Sequence, residues 1–122
     1  MPHHAYPHHA YIVLSNPVAG RDDEYNDWYT NRHLADVVAV PGFVSAQRFR
    51  LRDPAADGAP VQRYMAIYTL DTDDPESAIA QLTKLVESGE MNMSEAFSME
   101  DMAANLYEAI TPAVRPEAGD DA

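Results

Sequence analysis

Apolar and polar positions fall into successive short stretches, each with its own period, and their order predicts the fold. Tyr11-Ile12-Val13-Leu14 is a β-branched, mostly apolar run, read as a first strand that Asn16-Pro17 stops. Asp22 to Phe43 reads as one helix. Asp22 or Asp23 is expected to cap its start, because a short carboxylate accepts the free N–H groups of a first turn. Pro41 disfavours helical geometry in the residue before it, so the helix must end near Val40, and Gly42 then permits a tight turn. Phe43 to Leu51 alternates as a second strand, with Phe43, Ser45, Gln47 and Phe49 on one side and Val44, Ala46, Arg48 and Arg50 on the other. A loop from Asp53 to Pro60 leads into a third strand, Arg63 to Leu70, with Tyr64, Ala66, Tyr68 and Leu70 sharing a face. Asp73-Asp74-Pro75-Glu76 signals a second helix, which carries Ala78, Ile79, Leu82, Leu85 and Val86 on its apolar side and stops at Gly89. Met91-Asn92-Met93 follows as an adaptable segment, Ser98 to Asp101 as a capped helical turn, and Leu106 to Thr111 as a fourth strand before Pro112.

The order β–α–β, β–α–β predicts an α+β, ferredoxin-like βαββαβ fold, a four-stranded antiparallel sheet with both helices on one face. Phe43, Phe49, Met65 and Ile67 then leave too much apolar surface on the other face to stay wet on a small chain. A second copy is the simplest cover, so a homodimer is expected. The domain is read as spanning 10–115, between a flexible His-rich N-terminus at 1–9 and a disordered acidic tail at 116–122.

The first helix holds the candidate chemistry. Tyr25, Tyr29 and His33 follow at a spacing of four, and Trp28, Arg32 and Asp36 form the adjoining stripe. A purely structural stripe would be aliphatic; phenols, an indole and an imidazole all carry polar atoms that need partners when buried. Four of the five histidines lie in the repeated Pro-His-His-Ala-Tyr of residues 2–11, read as a short duplication, so His33 is the one histidine of the globular body. Histidine can take and return a proton near neutral pH, tyrosine can hydrogen-bond a developing oxyanion, and Arg48 can hold an anionic group. Asn16, at the end of the first strand beside the helix start, is a further ligand-facing candidate, although Asn before Pro also suits a turn.

Charge and composition narrow the classes. The chain of 122 residues carries a formal charge of −12 with no basic cluster, which argues against nucleic acid and anionic membrane as partners. It has no cysteine, hence no disulfide or thiolate nucleophile. No apolar run reaches the length of a membrane span and no signal-peptide core is visible, so a cytoplasmic protein is expected. No phosphate loop, dinucleotide fingerprint, nucleophile elbow or zinc helix occurs. Asp36 alone could join His33 on one turn, too little for a metal site. Acid–base chemistry without metal or cofactor remains.

Ser15 to Leu51, with Trp28-Tyr29, His33-Leu34, Val40-Pro41-Gly42-Phe43 and then Arg48, resembles the EthD-like branch of the dimeric α+β barrel proteins. The resemblance implies a two-sheet barrel formed by dimerisation. It also implies cofactor-independent chemistry, as in cyclases, isomerases, dehydratases, decarboxylases and monooxygenases, on a small aromatic or polyketide-like metabolite. A lyase or isomerase is the expectation that follows: His33 moves the proton, Tyr29 or Tyr68 meets the oxyanion or phenol, and Tyr25, Trp28, Asn16 and Arg48 bind. Two other readings stand beside it, a non-catalytic protein that binds a hydrophobic metabolite and a cofactor-free monooxygenase on a phenolic substrate. Haem degradation, another use of the fold, would need His33 as axial ligand and basic groups that this chain offers sparingly.

Overall fold

A computed structural model describes residues 8–117. The strands are β1 (His9–Ser15), β2 (Phe43–Arg50), β3 (Tyr64–Leu70) and β4 (Ala103–Glu108). They form one antiparallel sheet in the order β2-β3-β1-β4. Helices α1 (Asp22–Trp28) and α2 (Leu34–Val38) run on through an intervening π-helical turn, Tyr29–His33, and α3 (Pro75–Ser88) is the second crossover. The ferredoxin-like α+β arrangement is therefore the one expected.

The core lies between the sheet and the helices. Tyr64, Ala66, Tyr68 and Leu70 of β3 are all buried, with Val13 and Ser15 of β1 beside them, and Tyr25, Tyr29 and Val37 close over them from the first helix. Gly42 holds φ at +101°, and a Cβ there would meet the Ala78 Cβ at 3.1 Å, so the turn into β2 needs glycine for conformation and for the approach of α3. Asp74 caps α3 as expected, accepting from the Ser77 N–H at 3.2 Å, and Gly89 closes it in the left-handed region.

Several local expectations change. The first helix has no side-chain cap: Arg21 occupies the N-cap position, and Asp22, Asp23 and Glu24 lie inside the first turn, where they complement the helix dipole. The alternation of β2 breaks at its start. A register shift between Phe43 and Ser45 marks a bulge, which turns Phe43 to the helix side, 5% exposed and edge-on to Tyr68 at 6.2 Å. The open face consequently carries Phe49, Met65 and Leu14 in one row and Ile67 and Ile12 in the next, without Phe43. β4 starts earlier than the apolar run suggested, because its register is set by β1, with Ala103 opposite Leu14 and Glu108 opposite His9. Residues 98–101 form no helical turn.

The N-terminal boundary also moves. His9 is the first residue of β1, opposite Leu70 and Glu108, and the Ala109 N–H donates to the His8 carbonyl at 3.1 Å. His9 therefore belongs to the sheet and His8 is bonded at its edge; residues 1–7 and 118–122 lie outside the described residues.

Candidate active site

The π turn fixes the phase of the site. The Leu34 N–H donates to the Tyr29 carbonyl, five residues back instead of four. One extra residue is thereby taken up in the turn that carries Tyr29 and His33, so the simple spacing of four does not describe their neighbours. His33 stacks on Trp28, five residues earlier, with ring centroids 4.5 Å apart and planes 25° from parallel. Tyr29 meets the same imidazole edge-on at 5.1 Å.

Tyr29, His33 and Val37 form one side of a cavity of about 320 Å³ between sheet and helices. Tyr11, Val13, Tyr68 and Ala104 supply the sheet side; Leu82 and Val86 of α3 and the Met93, Phe97, Met99 and Met102 of the following segment supply the rest. Thr83, Glu87 and Met99 are exposed and mark the mouth. Glu87 is the one charged side chain in the lining. A second depression, about 370 Å³ along Gly20–Glu24, is an open and charged surface feature with no apolar wall to exclude water.

Inside the cavity the polar groups are few and close. The Tyr68 and Tyr29 hydroxyls are 3.2 Å apart. The Tyr68 hydroxyl donates to the Tyr29 oxygen, which leaves the Tyr29 hydroxyl hydrogen for a ligand. Burial holds both phenols well above their ordinary range, with the two hydroxyls' mutual contact a smaller influence, so both are neutral donors at neutral pH. His33 is 7% exposed and its Nδ1 has no hydrogen-bond partner. Burial pushes its pKa down from 6.5 to about 4, partly opposed by Asp36. The imidazole is therefore neutral at pH 7, where an ordinary histidine of pKa 6.5 would still be about a quarter charged. Asp36 does not orient it; its carboxylate takes the Arg32 Nε at 3.0 Å.

The three side chains expected to carry the chemistry, His33, Tyr29 and Tyr68, thus share one cavity, and the choice between the two tyrosines dissolves because both face it. The four expected binding residues do not line it. Tyr25 is fully buried, its hydroxyl shared with Ser15 Oγ at 2.6 Å. The Trp28 indole is packed behind His33, and its Nε1–H donates to Asn92 Oδ1 at 2.9 Å. Asn16 is a loop staple: its Nδ2 donates to the Val61 carbonyl and to Asp101 Oδ2, and its Oδ1 accepts from the Arg63 N–H. Arg48 reaches under the helix to Thr30 Oγ1 at 2.8 Å and Asn26 Oδ1 at 2.9 Å, with its guanidinium 4.6 Å from the centre of the Tyr29 ring. It steadies Tyr29 and is not placed to hold a ligand's anionic group in the cavity. Sequence reasoning missed Tyr11, Phe97 and Met102; the alternation of β1 pointed at Tyr11, but no local signal revealed which loop residues fold over the cavity.

Among the described residues no three His, Cys, Asp or Glu side chains converge as around a metal ion, and no helix is long and apolar enough to cross a membrane.

No protein-family model and no curated protein matches the chain. Solved structures do. MhuD, a haem degrader from Mycobacterium tuberculosis with two haems bound in its active site, superposes with a TM-score of 0.59 at 16% identity, over 87% of this chain and 99% of that one. SnoaB, a cofactor-independent oxygenase from Streptomyces nogalater, gives 0.57 at 21% identity, over 91% and 99%. A dimeric ferredoxin-like protein of unknown function from Jannaschia sp. CCS1 gives 0.57 at 14%, over 84% and 99%. At these identities the likeness establishes the fold.

Proposed function

We propose that the chain is a cofactor-independent oxygenase acting on a small, electron-rich phenol or hydroxylated polycycle. The observation that carries the reading is the mostly apolar cavity whose lining brings the paired Tyr29 and Tyr68 hydroxyls and the His33 ring together. The oxygenase SnoaB supports this class over the lyase or isomerase, which shares the first proton transfer but uses no oxygen. The EthD-like branch remains our assignment within the fold, on the Trp28-Tyr29, His33-Leu34 and Val40–Phe43 pattern.

The substrate's activated CH2 or ring position lies against His33, and its carbonyl or phenol oxygen against the tyrosine pair. His33 removes a proton, and the oxyanion that forms accepts the free tyrosine hydrogen. The carbanionic carbon reduces molecular oxygen, the co-substrate, and forms a C–O bond. The imidazolium returns its proton to the terminal oxygen, giving a hydroperoxide. Loss of the second C–H proton to His33 and cleavage of the O–O bond then give a carbonyl and water. Overall, CH2 plus O2 becomes C=O plus H2O. The methionine-rich wall and Phe97 hold the flat apolar body and exclude water.

Haem fits this cavity poorly. No lysine or arginine lines it to meet the propionates, Glu87 at the mouth repels them, and the volume is at the small end of ligand sites. A homodimer through the open sheet face completes the proposal, because Leu14, Phe49, Met65, Ile12 and Ile67 form one continuous apolar patch there.

The test is oxygen uptake over a panel of anthrones, hydroquinones and catechols with a metal chelator present, followed by labelled oxygen. Stoichiometric uptake with one labelled atom in the product, lost in His33→Gln, is expected. Turnover of the same panel at an equal rate under argon would replace the oxygenase by the lyase or isomerase. Tight binding without turnover would leave a metabolite-binding protein.

A further inference from the structure

We propose that Trp28 is the positioning residue of His33: the π turn brings the indole face against the imidazole, fixes the ring plane and stabilises the imidazolium that forms when His33 takes a proton. The proposal rests on His33 as the proton carrier. Trp28 itself is outside the cavity lining, so it acts only through His33.

The geometry is specific to that task. In an uninterrupted α-helix, residues five apart are about 140° from each other around the axis and do not stack. Here the Leu34–Tyr29 hydrogen bond of the π turn rephases the helix between them, and the rings lie 4.5 Å apart and 25° from parallel. The indole is held from its other atoms. Its Nε1–H donates to Asn92 Oδ1 at 2.9 Å, Phe97 meets it edge-on at 6.1 Å, and the side chain is 8% exposed. A buried indole needs a partner for its N–H, but nothing in packing alone requires it to lie face to face with an imidazole whose own Nδ1 is left unpartnered. An indole face attracts a cation by its quadrupole, so the stack favours the charged form of His33 in surroundings that otherwise penalise it. The other titratable groups around the imidazole are Asp36 and Tyr29 on its own helix, Tyr68 from β3, Tyr11 from β1 and Glu87 from α3. None of these is paired to the ring by a hydrogen bond; the Tyr29 ring meets it edge-on, and the indole is the ring stacked on its face.

Trp28 is the chain's one tryptophan, so its emission reports the stack directly. Charging the imidazole should quench it. The expected result is a fall in emission on acidification that follows the His33 midpoint in the wild type and is absent in His33→Gln. Asn92→Ala, a change at an exposed position, should keep the fold and weaken the quench in part, because the indole N–H loses its shorter bond to Asn92 Oδ1 and keeps only the one to the Asn92 carbonyl at 3.3 Å. In Trp28→Leu, followed by the His33 ring-proton resonance, the midpoint should fall by about half a pH unit, the size of a modest cation–π contact, with Trp28→Phe between Leu and wild type. Identical emission curves in wild type and His33→Gln, or an unchanged His33 midpoint in Trp28→Leu, would overturn the proposal. These measurements use no substrate, so they stand or fall separately from the oxygenase assay. With an active substrate in hand, Trp28→Leu should lower kcat several-fold at nearly constant KM, with partial rescue by Phe.

Discussion

Holding a histidine below its ordinary pKa makes the fold sensitive to acid, and the size of that sensitivity follows from the site. His33 titrates at 6.5 when the chain is unfolded and at about 4 in the folded cavity, chiefly because burial penalises the charged ring. Between these values the unfolded chain binds a proton that the folded chain does not. Folding stability is therefore complete above about pH 6.5, declines as the pH falls toward 4, and loses no more from this group once both states are protonated. The whole span corresponds to about 3 kcal/mol, and about 2 kcal/mol of it is lost by about pH 5. His33→Gln cannot titrate and should lack this component. Urea unfolding of both proteins at about pH 7.5 and pH 5, where the carboxylates common to both cancel in the difference, measures it. The gap between wild type and His33→Gln should shift by about 2 kcal/mol, to the disadvantage of the wild type at the lower pH. A gap that stays constant to within about half a kcal/mol would mean that His33 is hydrated or hydrogen-bonded when folded, and the neutral-imidazole site would fall with it.

The tyrosine pair and the open sheet face give two further expectations. Tyr68→Phe removes one hydroxyl of the 3.2 Å pair, and should cut turnover about tenfold to a hundredfold in the oxygen-uptake assay while costing about 1 kcal/mol of stability; unchanged kcat would make the pair purely structural. Ile67→Asp places a carboxylate beside Ile12 and Gln47 on the open face, and should turn a dimer seen by light scattering into a monomer, whereas a wild-type monomer at micromolar concentration would refute the two-sheet assembly.

The fold was legible because its signals were local. Asp74, Pro75 and Gly89 bound one helix by their own side-chain and backbone chemistry, and the two-residue period of Tyr64 to Leu70 matches the burial of alternate residues in β3. The errors arose where a partner decided the outcome. The bulge that turns Phe43 inward follows from pairing β2 to β3, and the start of β4 follows from its register on β1. That His33, Tyr29 and Tyr68 come to line one cavity follows from residue type and face, although the sequence left open which tyrosine would join His33. Asn16 and Arg48 lie outside the cavity lining because Asn16 bonds to Asp101 and Arg63, and two Arg48 nitrogens bond to Asn26 and Thr30, partners 18 or more residues away in sequence. The π turn had no sequence signature at all, although it determines which ring His33 touches.

A base with a pKa of about 4 looks too weak to deprotonate a phenol or an activated CH2, and the cavity resolves this through charge, not through an intrinsic property of the ring. The penalty on His33 is desolvation of a lone cation. Proton transfer within the site does not create a lone cation. It creates an imidazolium beside the substrate anion, with the one free hydrogen of the neutral tyrosine pair donated to that anion and no lysine or arginine in the lining to compete for it. At about 4 Å and an effective dielectric of about 20, such a pair attracts by about 4 kcal/mol, about three pK units. That is as large as the lowering caused by burial. His33 is therefore restored to its ordinary basicity, or slightly beyond it, only when its own product lies next to it. In the empty cavity it stays neutral, and a substrate that cannot delocalise the resulting charge onto an oxygen at the tyrosine pair gains no such restoration. The same arrangement that makes the fold acid-sensitive thus makes the base selective for molecules whose anion can sit between His33 and the two phenols.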